Sequence, residues 1–542
     1  MFMKKQNIMY ILNDSIAGGA MLSFLDMLVK ITDRVNVVVV IPDQPSVMEQ
    51  RLKELKVIYY KMNVARDDVP IGCGTNEDVI HNFKVNYESA LELLPIIKRE
   101  KIHLVHINSS VSNFGAIAAL MMNIPYVWHI RELLEEQFGC EFYNQQLKMA
   151  LYQRADCLIS ISDYVKSKYI DKYAINTVRI YNGLDIKKFK AIIYPGQYKN
   201  VFLAAGAITP KKGQWDAVRA VEHLISKGHG NIQLIIAGMG NDLYIWLMKK
   251  YINRKGLQKH IVILPFQDDL SQLRTEVSYA LTCSQNEALG RVTIEAMLAG
   301  NIVIGAKSGG TTELIGEHEE RGYLYCQGDY QSMSEAMLKA INCPADDKDL
   351  MRYQAQHYAE MMFDSEKYCE RLVHLYEEIV DSYMKKDNKS FLKELEEYYQ
   401  KIASHCEDID NEVVSKKSFL KLQNAYELTL RWLEIRQRGH RFEEFFAQKC
   451  IKSVAIYGMA ELGRRLYDEI ECSSVEIKYL IDKNPVAPMK QFLDFTSIDE
   501  VGNDVDAIIV TAVMTEKQLV DELKNRGYKE VIGLSEILDY FT

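Results

Sequence analysis

Two glutamates, Glu287 and Glu295, are the side chains of this sequence best placed to do chemistry. An apolar strand pattern at 279–282 precedes them, and a short helical pattern at 291–299 carries the second. The unpaired N–H groups and the dipole at the start of such a helix form a site for a phosphate. Glu295 can accept hydrogen bonds from ribose hydroxyls, and Glu287 lies ahead of the helix, where a second sugar would sit. The pair suits a ligand that combines sugar, diphosphate and nucleoside, although glutamates at this spacing also occur on solvated surfaces.

The segment around this pair, CSQNEALGRVTIEAMLAGNIVIGAKSGGTTE, resembles the E-x7-E motif of retaining glycosyltransferases of family 4, which have the GT-B fold. Gly309, Gly310 and Glu313 match the GG-x-x-E element that usually follows that motif. The resemblance implies that Glu295 binds the ribose and that Glu287 is a catalytic residue that contacts the donor sugar. The donor-binding residues that it implies in this segment are Glu287, Leu289, Gly290, Arg291 and Glu295.

The elements that must position these residues alternate between strand patterns and helical patterns along most of the chain. Such alternation predicts the α/β class, with parallel sheets covered by helices on both faces. We expect an N-terminal Rossmann-like acceptor domain at 1–194 and, after the linker PGQYKN, a donor domain at 195–385, facing each other across a cleft as in GT-B. The predicted strands are 8–12, 35–41, 57–60, 104–107, 126–130, 157–161 and 178–181, then 201–205, 232–237, 261–264, 279–282, 302–305 and 323–325.

Two features of the first domain point to its side of this cleft, where the acceptor would bind. The first strand runs into NDSIAGGAM, where Gly18 and Gly19 would let the backbone approach a ligand, although a tight turn alone also needs glycine. We predict that both glycines also take part in donor binding. His129 and Arg131 lie in YVWHIRE at an apolar strand end, where open parallel sheets place their ligand crevice. A lone histidine there is more often structural. The family resemblance instead implies that His129 is catalytic and lies near the transferred sugar.

The second domain supplies a cation in AAGAITPKKGQWDAV. A strand runs into a turn that contains Lys212, and a lysine there can neutralise a diphosphate. The turn resembles the family's G-R-x-x-x-x-K-G element, which implies a catalytic and donor-binding role for Lys212. The usual arginine is replaced by Ala207, so we expect Lys212 and Arg291 to carry the diphosphate, or the use of the donor to be altered.

The rest of the chain predicts a charged helical connector at 386–448 and a third, small α/β unit at 449–542. In that unit Gly458 and Gly463 make a G-x-A-x-x-G turn, and Asp482 ends the next predicted strand, as in a dinucleotide-binding fingerprint. The unit resembles small Rossmann-like domains appended to bacterial sugar-modifying enzymes. An ancillary or interaction module is favoured because a second nucleotide-binding half is lacking, and nucleotide binding is the alternative. The connector is able to pack on the core or on another subunit, which would give homo- or hetero-oligomers.

Composition disfavours several classes of protein. The 542 residues carry a net charge of -9, which argues against nucleic acid as the main partner because phosphate binding needs a basic face. Ten cysteines without C-x-x-C or Cys/His ligand spacing predict reduced thiols, no metal site and a cytoplasmic setting. No apolar run reaches the ~18 residues of a membrane span. Basic residues between 166 and 190 predict a solvated face, with peripheral contact to anionic lipid at the inner membrane surface as the alternative.

These features predict a retaining glycosyltransferase that moves a hexose-type sugar from a nucleotide diphosphate sugar to a glycan or lipid-linked acceptor. The resemblance implies bacterial cell-surface polysaccharide assembly as the setting, and no cofactor is expected. Two alternatives stay open. One is a non-catalytic nucleotide-sugar-binding or scaffold subunit of a glycosyltransferase complex, in which Ala207 marks a decayed donor site. The other is a GT-B epimerase or phosphorylase, which the GG-x-x-E element disfavours.

Overall fold

The computed structural model describes residues 5–13, 19–44, 46–267, 269–403, 427–471, 473–483, 493–502, 504–512, 515–528 and 530–541. The chain divides into two compact units. The first unit comprises residues 1–245 and 252–407, and the second comprises 246–251 and 408–542. The domain boundaries predicted at 194, 385 and 448 stay predictions.

Seven parallel strands form the first sheet of the first unit, in the order β3-β2-β1-β5-β6-β8-β9. The order reverses between β1 and β5, and in doubly wound sheets a ligand crevice lies at such a point. Helices cover both faces, so the residues of β1 are almost entirely buried. Two short strands, β4 and β7, pair antiparallel outside this sheet. The strands are β1 (Asn7–Ile11), β2 (Asn36–Pro42), β3 (Ile58–Met62), β4 (Val69–Pro70), β5 (Leu104–Ile107), β6 (Tyr126–Ile130), β7 (Cys140–Glu141), β8 (Cys157–Ser160) and β9 (Val178–Arg179).

The helices around this sheet begin where the sequence offers capping side chains. The Thr75 side chain accepts a hydrogen bond from the N–H of Asp78, whose side chain accepts one from Thr75, which starts α3 with a capping box. Leu134–Phe138 forms a π-helical turn before β7. The helices are α1 (Gly19–Ile31), α2 (Val47–Glu54), α3 (Asn76–Arg99), α4 (Phe114–Met122), α5 (Gln145–Arg154), α6 (Asp163–Tyr173) and α7 (Ile186–Phe189).

A second parallel sheet has the order β12-β11-β10-β13-β14-β15, again a doubly wound arrangement, now with its reversal between β10 and β13. Both Lys212 and Glu287 follow strands at this reversal. The strands are β10 (Val201–Ala205), β11 (Gln233–Ala237), β12 (Ile261–Leu264), β13 (Tyr279–Thr282), β14 (Ile302–Ala306) and β15 (Gly322–Tyr325). The helices are α8 (Gln214–Ser226), α9 (Asp242–Arg254), α10 (Ser271–Glu276), α11 (Arg291–Leu298), α12 (Gly309–Ile315), α13 (Tyr330–Asn342) and α14 (Ala345–Met362).

Helix α15 (Ser365–Ser382) leaves the second sheet and packs on α1 beside the first. The hydroxyls of Tyr376 and Tyr10 lie 3.0 Å apart there, both fully buried. Helix α16 (Lys389–Ala403) follows and contacts α3. The two sheets and the returning helix therefore form one compact body.

The second unit contains a four-stranded parallel sheet in the order β17-β16-β18-β19. Of the predicted connector, α16, a helical stretch at 427–437 and α17 are seen, and 404–426 lie outside the described residues. The elements are α17 (Phe442–Gln448), β16 (Ser453–Tyr457), α18 (Glu461–Glu471), β17 (Glu476–Ile481), β18 (Ala507–Val510), α19 (Glu516–Asn525), β19 (Val531–Gly533) and α20 (Leu534–Asp539).

The strands predicted from the sequence agree with the structure to within about two residues. The strand predicted at 178–181 shortens to β9, and the short strands β4 and β7 are not among the predicted ones. The side chains of Tyr181 and Asn182, just beyond β9, hydrogen-bond to Glu313 and Arg131. The prediction of an α/β chain with two consecutive parallel sheets is confirmed.

Candidate active site

The segment that carries the paired glutamates is a strand, a loop and a helix whose junctions are fixed. The loop after β13 turns into α11 at Gly290, which has a φ of 103°. The Oγ1 atoms of Thr282 and Thr293 lie 2.9 Å apart and join the strand end to the first turn of the helix. A Cβ placed on Gly290 would lie 3.5 Å from Cγ of Glu287. The start of α11, with its unpaired N–H groups, is therefore adjacent to the Glu287 side chain.

Lys212 and Glu287 form an ion pair at the centre of the candidate site. Nζ of Lys212 lies 2.6 Å from Oε2 of Glu287, which joins the turn after β10 to the loop after β13. Burial raises the pKa of Glu287, but the charge of Lys212 and hydrogen bonds from Lys212 and Ser284 outweigh it, so the pKa lies below its ordinary value. The carboxylate is ionised at neutral pH. The Lys212 side chain is 33% exposed, so its ammonium keeps donors for an anion.

A glycine pair packs against the loop that carries Glu287 and fixes its backbone. The N–H of Gly310 donates to the carbonyl of Glu287 at 2.7 Å. A Cβ on Gly310 would lie 2.6 Å from Cα of Leu289, which is closer than two such carbons can approach, so only glycine fits. Gly309 faces the carbonyl of Glu287 just as closely. The glycines of the GG-x-x-E element therefore position the backbone of Glu287 and Leu289.

Glu313, the acid of the same element, connects α12 to the first sheet's side of the unit. Its carboxylate accepts hydrogen bonds from the N–H groups of Asp163 and Tyr164, at 3.1 and 3.0 Å, and from the hydroxyl of Tyr181 at 2.5 Å. These N–H groups open α6, so Glu313 satisfies unpaired donors and lies at the positive end of the helix dipole. Because Gly310 of the same short helix holds Glu287, α12 couples the loop at 283–290, called the donor loop after its predicted role, to α6.

Glu295 is held by two arginines. Oε2 accepts from Nη2 of Arg274 at 2.9 Å, and Oε1 accepts from Nε of Arg291 at 2.8 Å. The Arg274 side chain is 1% exposed, so its charge depends on this carboxylate. Each oxygen of Glu295 keeps a further lone pair for a ribose hydroxyl. Sequence reasoning missed Arg274, because nothing in its local pattern indicates that it is buried against a residue 21 positions away.

Arg291 is engaged by protein groups, and its predicted role at the diphosphate stays a prediction. Besides Glu295, the guanidinium pairs with Asp26 of α1, with Nη1 2.8 Å from Oδ2, and it lies over the ring of Phe189. Burial raises the pKa of Asp26, although Arg291 opposes the shift. Two carboxylates therefore already engage Arg291, which is not a simple replacement for the arginine absent at Ala207.

His129 lies inside β6 and is fully buried, and its predicted catalytic role stays a prediction. Its Nδ1 lies 3.3 Å from Nε2 of His106 and 3.3 Å from Nη2 of Arg131. Burial, with the nearby charge of Arg131, lowers the pKa of both histidines well below the ordinary value, so both rings are neutral at neutral pH. The ring of His129 contacts other side chains of the fold, not the open surface where a substrate would bind.

Arg131, the residue that follows β6, is the more prominent polar group of that motif. It is 6% exposed and donates to Oδ1 of Asn108 at 2.8 and 3.1 Å and to Oδ1 of Asn182 at 2.7 Å. Asn108 and Asn182 follow β5 and β9, so three strand ends converge on one guanidinium. Neutral carbonyls satisfy its donors, and no ion pair of Arg131 with a carboxylate is seen among the described residues.

Of the remaining predicted residues of the first unit, Gly19 and Ala207 are exposed and Leu289 is buried. Gly18 is outside the described residues, and Gly19 opens α1 with free space around the position of a Cβ. Leu289 is buried, and its backbone lines the donor loop. Ala207 is exposed, and its carbonyl accepts from Nε2 of Gln214 at 2.8 Å. The structure thus leaves open the position where the family's arginine would stand.

The glycine turn of the second unit lies between β16 and α18, as its sequence predicts. Gly458 has a φ of 98°, and Gly463 lies too close to its carbonyl for any Cβ. Oδ2 of Asp482 accepts from the N–H of Met459 at 2.8 Å, and the hydroxyl of Thr511 bonds the carbonyl of Gly458. The predicted acid therefore binds the turn itself. A nucleotide role for Gly458, Gly463 and Asp482 stays a prediction.

In the described part of the chain, no group of three or more His, Cys, Asp or Glu side chains could hold a metal ion. No helix of those residues combines the length and apolarity needed to cross a membrane.

Comparison with known proteins agrees with the fold. Residues 17–188 match the model of Glycosyltransferase Family 4, and residues 185–357 match that of Glycosyl transferases group 1. The putative glycosyltransferase YtcC of Bacillus subtilis is 25% identical over 41% of this chain and 60% of its own length. The N-acetyl-alpha-D-glucosaminyl L-malate synthase of Bacillus anthracis is 22% identical over 39% of this chain. The match spans 52% of that enzyme's length.

Solved structures extend the comparison to the fold. Anabaena Alr3699/HepE, crystallised with UDP, is 22% identical, with a TM-score of 0.58 over 69% of this chain and the whole of its own. Sucrose-phosphate synthase from Thermosynechococcus elongatus gives a TM-score of 0.55 over 70% of this chain. These proteins share the paired Rossmann-like domains of the GT-B fold. Residues 17–188 and 185–357 therefore resemble the domains of family 4 and group 1 glycosyltransferases, and the fold is that of GT-B.

Proposed function

We propose that the protein is a retaining glycosyltransferase that moves a hexose-type sugar from a nucleotide diphosphate sugar to a glycan or lipid-linked acceptor. The Lys212–Glu287 pair beside the start of α11 carries this proposal. It places a partly exposed ammonium next to the unpaired N–H groups of a helix, and the two together suit a diphosphate. Assembly of bacterial cell-surface polysaccharide is the proposed setting.

In the proposed reaction the acceptor hydroxyl attacks the anomeric carbon on the face that the diphosphate leaves. The bond from that carbon to the diphosphate oxygen breaks, and the hydroxyl proton passes to the departing phosphate. Lys212 and the N–H groups of α11 stabilise the charge that develops on the phosphate, which is usually the largest contribution in such chemistry. Glu287 binds hydroxyls of the donor sugar and Glu295 those of the ribose. This scheme requires no metal or cofactor.

The first sheet contributes the acceptor side in this proposal. His129 is buried and neutral, so it supports Arg131 instead of touching the substrate. Arg131 in turn holds Asn108 and Asn182 at the strand ends where an acceptor would approach. Gly19 is exposed at the start of α1, the helix that follows β1, and β1 is one of the two strands at the reversal point. The retained anomeric configuration is expected from attack on the leaving-group face.

A panel of nucleotide sugars tests the proposal directly. The purified full-length protein is incubated with each donor, with and without cell-extract acceptors, and nucleotide release is followed. UDP-sugars come first, because the similar HepE protein has been crystallised with UDP and with UDP-glucose. We expect release from at least one donor and, once an acceptor is found, a product whose anomeric signal in NMR matches that of the donor. No release from any donor would overturn the proposal.

The exposed Ala207 favours one second candidate, a non-catalytic nucleotide-sugar-binding subunit. One of the two cations usual at this diphosphate site is absent, and Arg291 is engaged by Asp26 and Glu295. Such a subunit would bind a nucleotide sugar in calorimetry yet release no nucleotide from it. The panel above separates the two candidates, provided that binding is measured with the same donors.

A further inference from the structure

A cavity of about 280 Å³ lies in the first unit, beside the first sheet. Its walls are the π-helical turn Leu134–Phe138, the short strand β7 and the end of α6. None of the residues discussed above as donor-binding lines it. Its volume is close to the lower end of the roughly 300–1,000 Å³ range of small-molecule sites, which suits a ligand the size of a single sugar ring.

The cavity adjoins the donor site. Gly139 ends the π-helical turn with a φ of 65°, and a Cβ placed on it would lie 3.4 Å from Nζ of Lys211. Lys211 is next to Lys212 in the turn after β10, and its carbonyl accepts from the N–H of Gln285 in the donor loop. The chain segment that forms one wall of the cavity therefore borders the residues proposed to hold the diphosphate. A molecule that reaches from this cavity toward Lys212 approaches from the acceptor side.

The lining combines aromatic rings with carboxylates. Leu134 and Phe142 are buried against Val111 beneath it, while the rings of Tyr169 and Tyr173 meet at 5.2 Å. Aromatic rings offer flat apolar faces on which the C–H face of a sugar ring can pack, and tyrosine adds a polar edge. Carboxylates and a glutamine amide accept or donate hydrogen bonds to hydroxyl groups. The lining groups of this second kind are Glu135, Glu136, Glu141, Asp171 and Gln145.

The charge of the lining excludes an anionic ligand. Two lysines, Lys168 and Lys172, oppose four carboxylates, so the cavity is negative overall. Lys172 is already paired with Glu135, and the amine of Lys168 lies over the ring of Tyr164. A phosphate or a lipid diphosphate would meet net repulsion here, whereas hydroxyl groups would find acceptors. A π-helical turn is a rare element that occurs often at functional sites, which is a further reason to assign this wall a ligand.

We propose that this cavity binds an uncharged sugar ring of the acceptor, a ring other than the one that receives the transferred sugar. The proposal rests on the proposed function and makes it more specific, because it names a glycan as the acceptor class. The ring packs on Tyr173 and Tyr169 and donates its hydroxyls to Glu136 and Asp171. The growing end of the glycan then extends past Gly139 toward Lys212.

Saturation-transfer NMR on the full-length protein tests this binding without any turnover. The probes are the methyl glycosides of glucose, galactose, mannose, rhamnose and N-acetylglucosamine. We expect saturation of at least one glycoside with the wild type, and an affinity at least tenfold weaker with Tyr173→Ala and with Glu136→Lys. Tyr353→Ala, which truncates an exposed tyrosine of α14, is the matched control and should bind as the wild type does. Melting curves show whether each variant is folded.

Lys212→Met distinguishes sugar binding in the cavity from nucleotide release at the donor site. This variant should lose nucleotide release yet bind the glycoside as the wild type does, since Lys212 does not line the cavity. If no glycoside is saturated, or if binding is unchanged in both Tyr173→Ala and Glu136→Lys, the cavity assignment is overturned, whatever the release assay shows. Competition by inorganic phosphate against the glycoside would also overturn it. If no donor of the panel releases nucleotide, the proposed function is overturned. Glycoside binding then still decides whether the cavity binds a sugar ring.

Discussion

Each unit of this chain has a junction at which a strand runs through a turn into a helix. The two junctions look alike in sequence, but their charged side chains do different things. In the first unit, the turn at Lys212 and the loop at Glu287 place an ammonium and a carboxylate 2.6 Å apart, with the ammonium partly exposed. In the second unit, a carboxylate oxygen of Asp482 accepts a hydrogen bond from the N–H of Met459. Met459 belongs to the glycine turn beside which Asp482 was predicted to bind a ribose. The first junction offers charge to a ligand, whereas the second satisfies its own backbone.

A glycine turn therefore indicates that another group lies close to the backbone, but not whether that group is a ligand or the protein itself. At Gly310 the neighbour is the backbone of the donor loop, and at Gly463 it is the carbonyl of Gly458. Both glycines are required for steric reasons internal to the protein. What distinguishes the first junction is that the partly exposed ammonium of Lys212 lies beside the start of a helix.

The largest effect is expected from the ion pair itself. Lys212→Met and Glu287→Gln should each lower the rate of nucleotide release by about 10²–10³-fold, the usual loss when one group that stabilises transition-state charge is removed. The release assay with the best donor of the panel measures it. Asp482→Asn in the second unit is the matched comparison and should release nucleotide at the wild-type rate. Equal losses in all three variants would erase the distinction between the junctions.

Gly310→Ala should break the first junction without touching a charge. The added methyl group would overlap Cα of Leu289, and crowding of this kind costs about 1–3 kcal/mol of stability. Because the N–H of Gly310 also holds Glu287, we expect a weaker donor affinity together with the loss of unfolding free energy in urea. Gly230→Ala, at a position with open space, should change neither quantity. Wild-type donor affinity in Gly310→Ala would show that α12 does not position Glu287.

Glu313→Ala tests the connection from α12 to α6. The variant leaves the N–H groups of Asp163 and Tyr164 and the hydroxyl of Tyr181 without this acceptor. Loss of a helix cap costs about 0.5–2 kcal/mol, so the unfolding free energy of the first unit should fall by that amount. Glu317→Ala removes an exposed glutamate two residues beyond α12 and should have no measurable effect. Similar unfolding curves for the two variants would contradict the capping role.

The pH dependence of stability tests whether Glu287 is stabilised by its ion pair with Lys212. Its pKa is lowered in the folded protein, so the stabilisation from its ion pair is present above the ordinary value of 4.5 and is lost as the pH falls through the folded pKa. In Lys212→Met only burial and Ser284 remain, and burial raises the pKa. The difference in unfolding free energy between wild type and Lys212→Met should therefore be largest at pH 7 and decrease at acid pH. A difference that is constant with pH would argue against the ion pair.

The smallest effect is expected in the second unit. Asp482→Asn keeps an oxygen that can accept from Met459, so the unfolding free energy should fall by no more than about 1 kcal/mol. Thermal unfolding of the full-length protein measures it. A large loss of stability would mean that the charge of Asp482, and not only its hydrogen bond, holds the turn.

The sequence predicts the sheets of this molecule better than its polar contacts. Strand positions follow from local apolar patterns, and a family resemblance was enough to select Lys212 and Glu287, which the structure brings into contact. The burial of His129 and the ion pairs of Arg291 could not be predicted, because burial and pairing are long-range properties. Asp26 and Arg274 reach Glu295 and Arg291 from other helices, and no local spacing indicates that. The prediction for Asp482 identified the turn correctly, but only the structure shows that the acid bonds the turn's own backbone.

Calorimetric titration of the nucleotide diphosphate that the donor panel releases, beginning with UDP, tests the central claim most directly. The claim is that the chain binds this nucleotide through the Lys212–Glu287 junction of the first unit. We expect Asp482→Asn to bind with the wild-type dissociation constant and Lys212→Met to bind at least about tenfold more weakly, a loss of roughly 1.4 kcal/mol. Unchanged binding in Lys212→Met together with lost binding in Asp482→Asn would contradict the account and assign the nucleotide to the second unit.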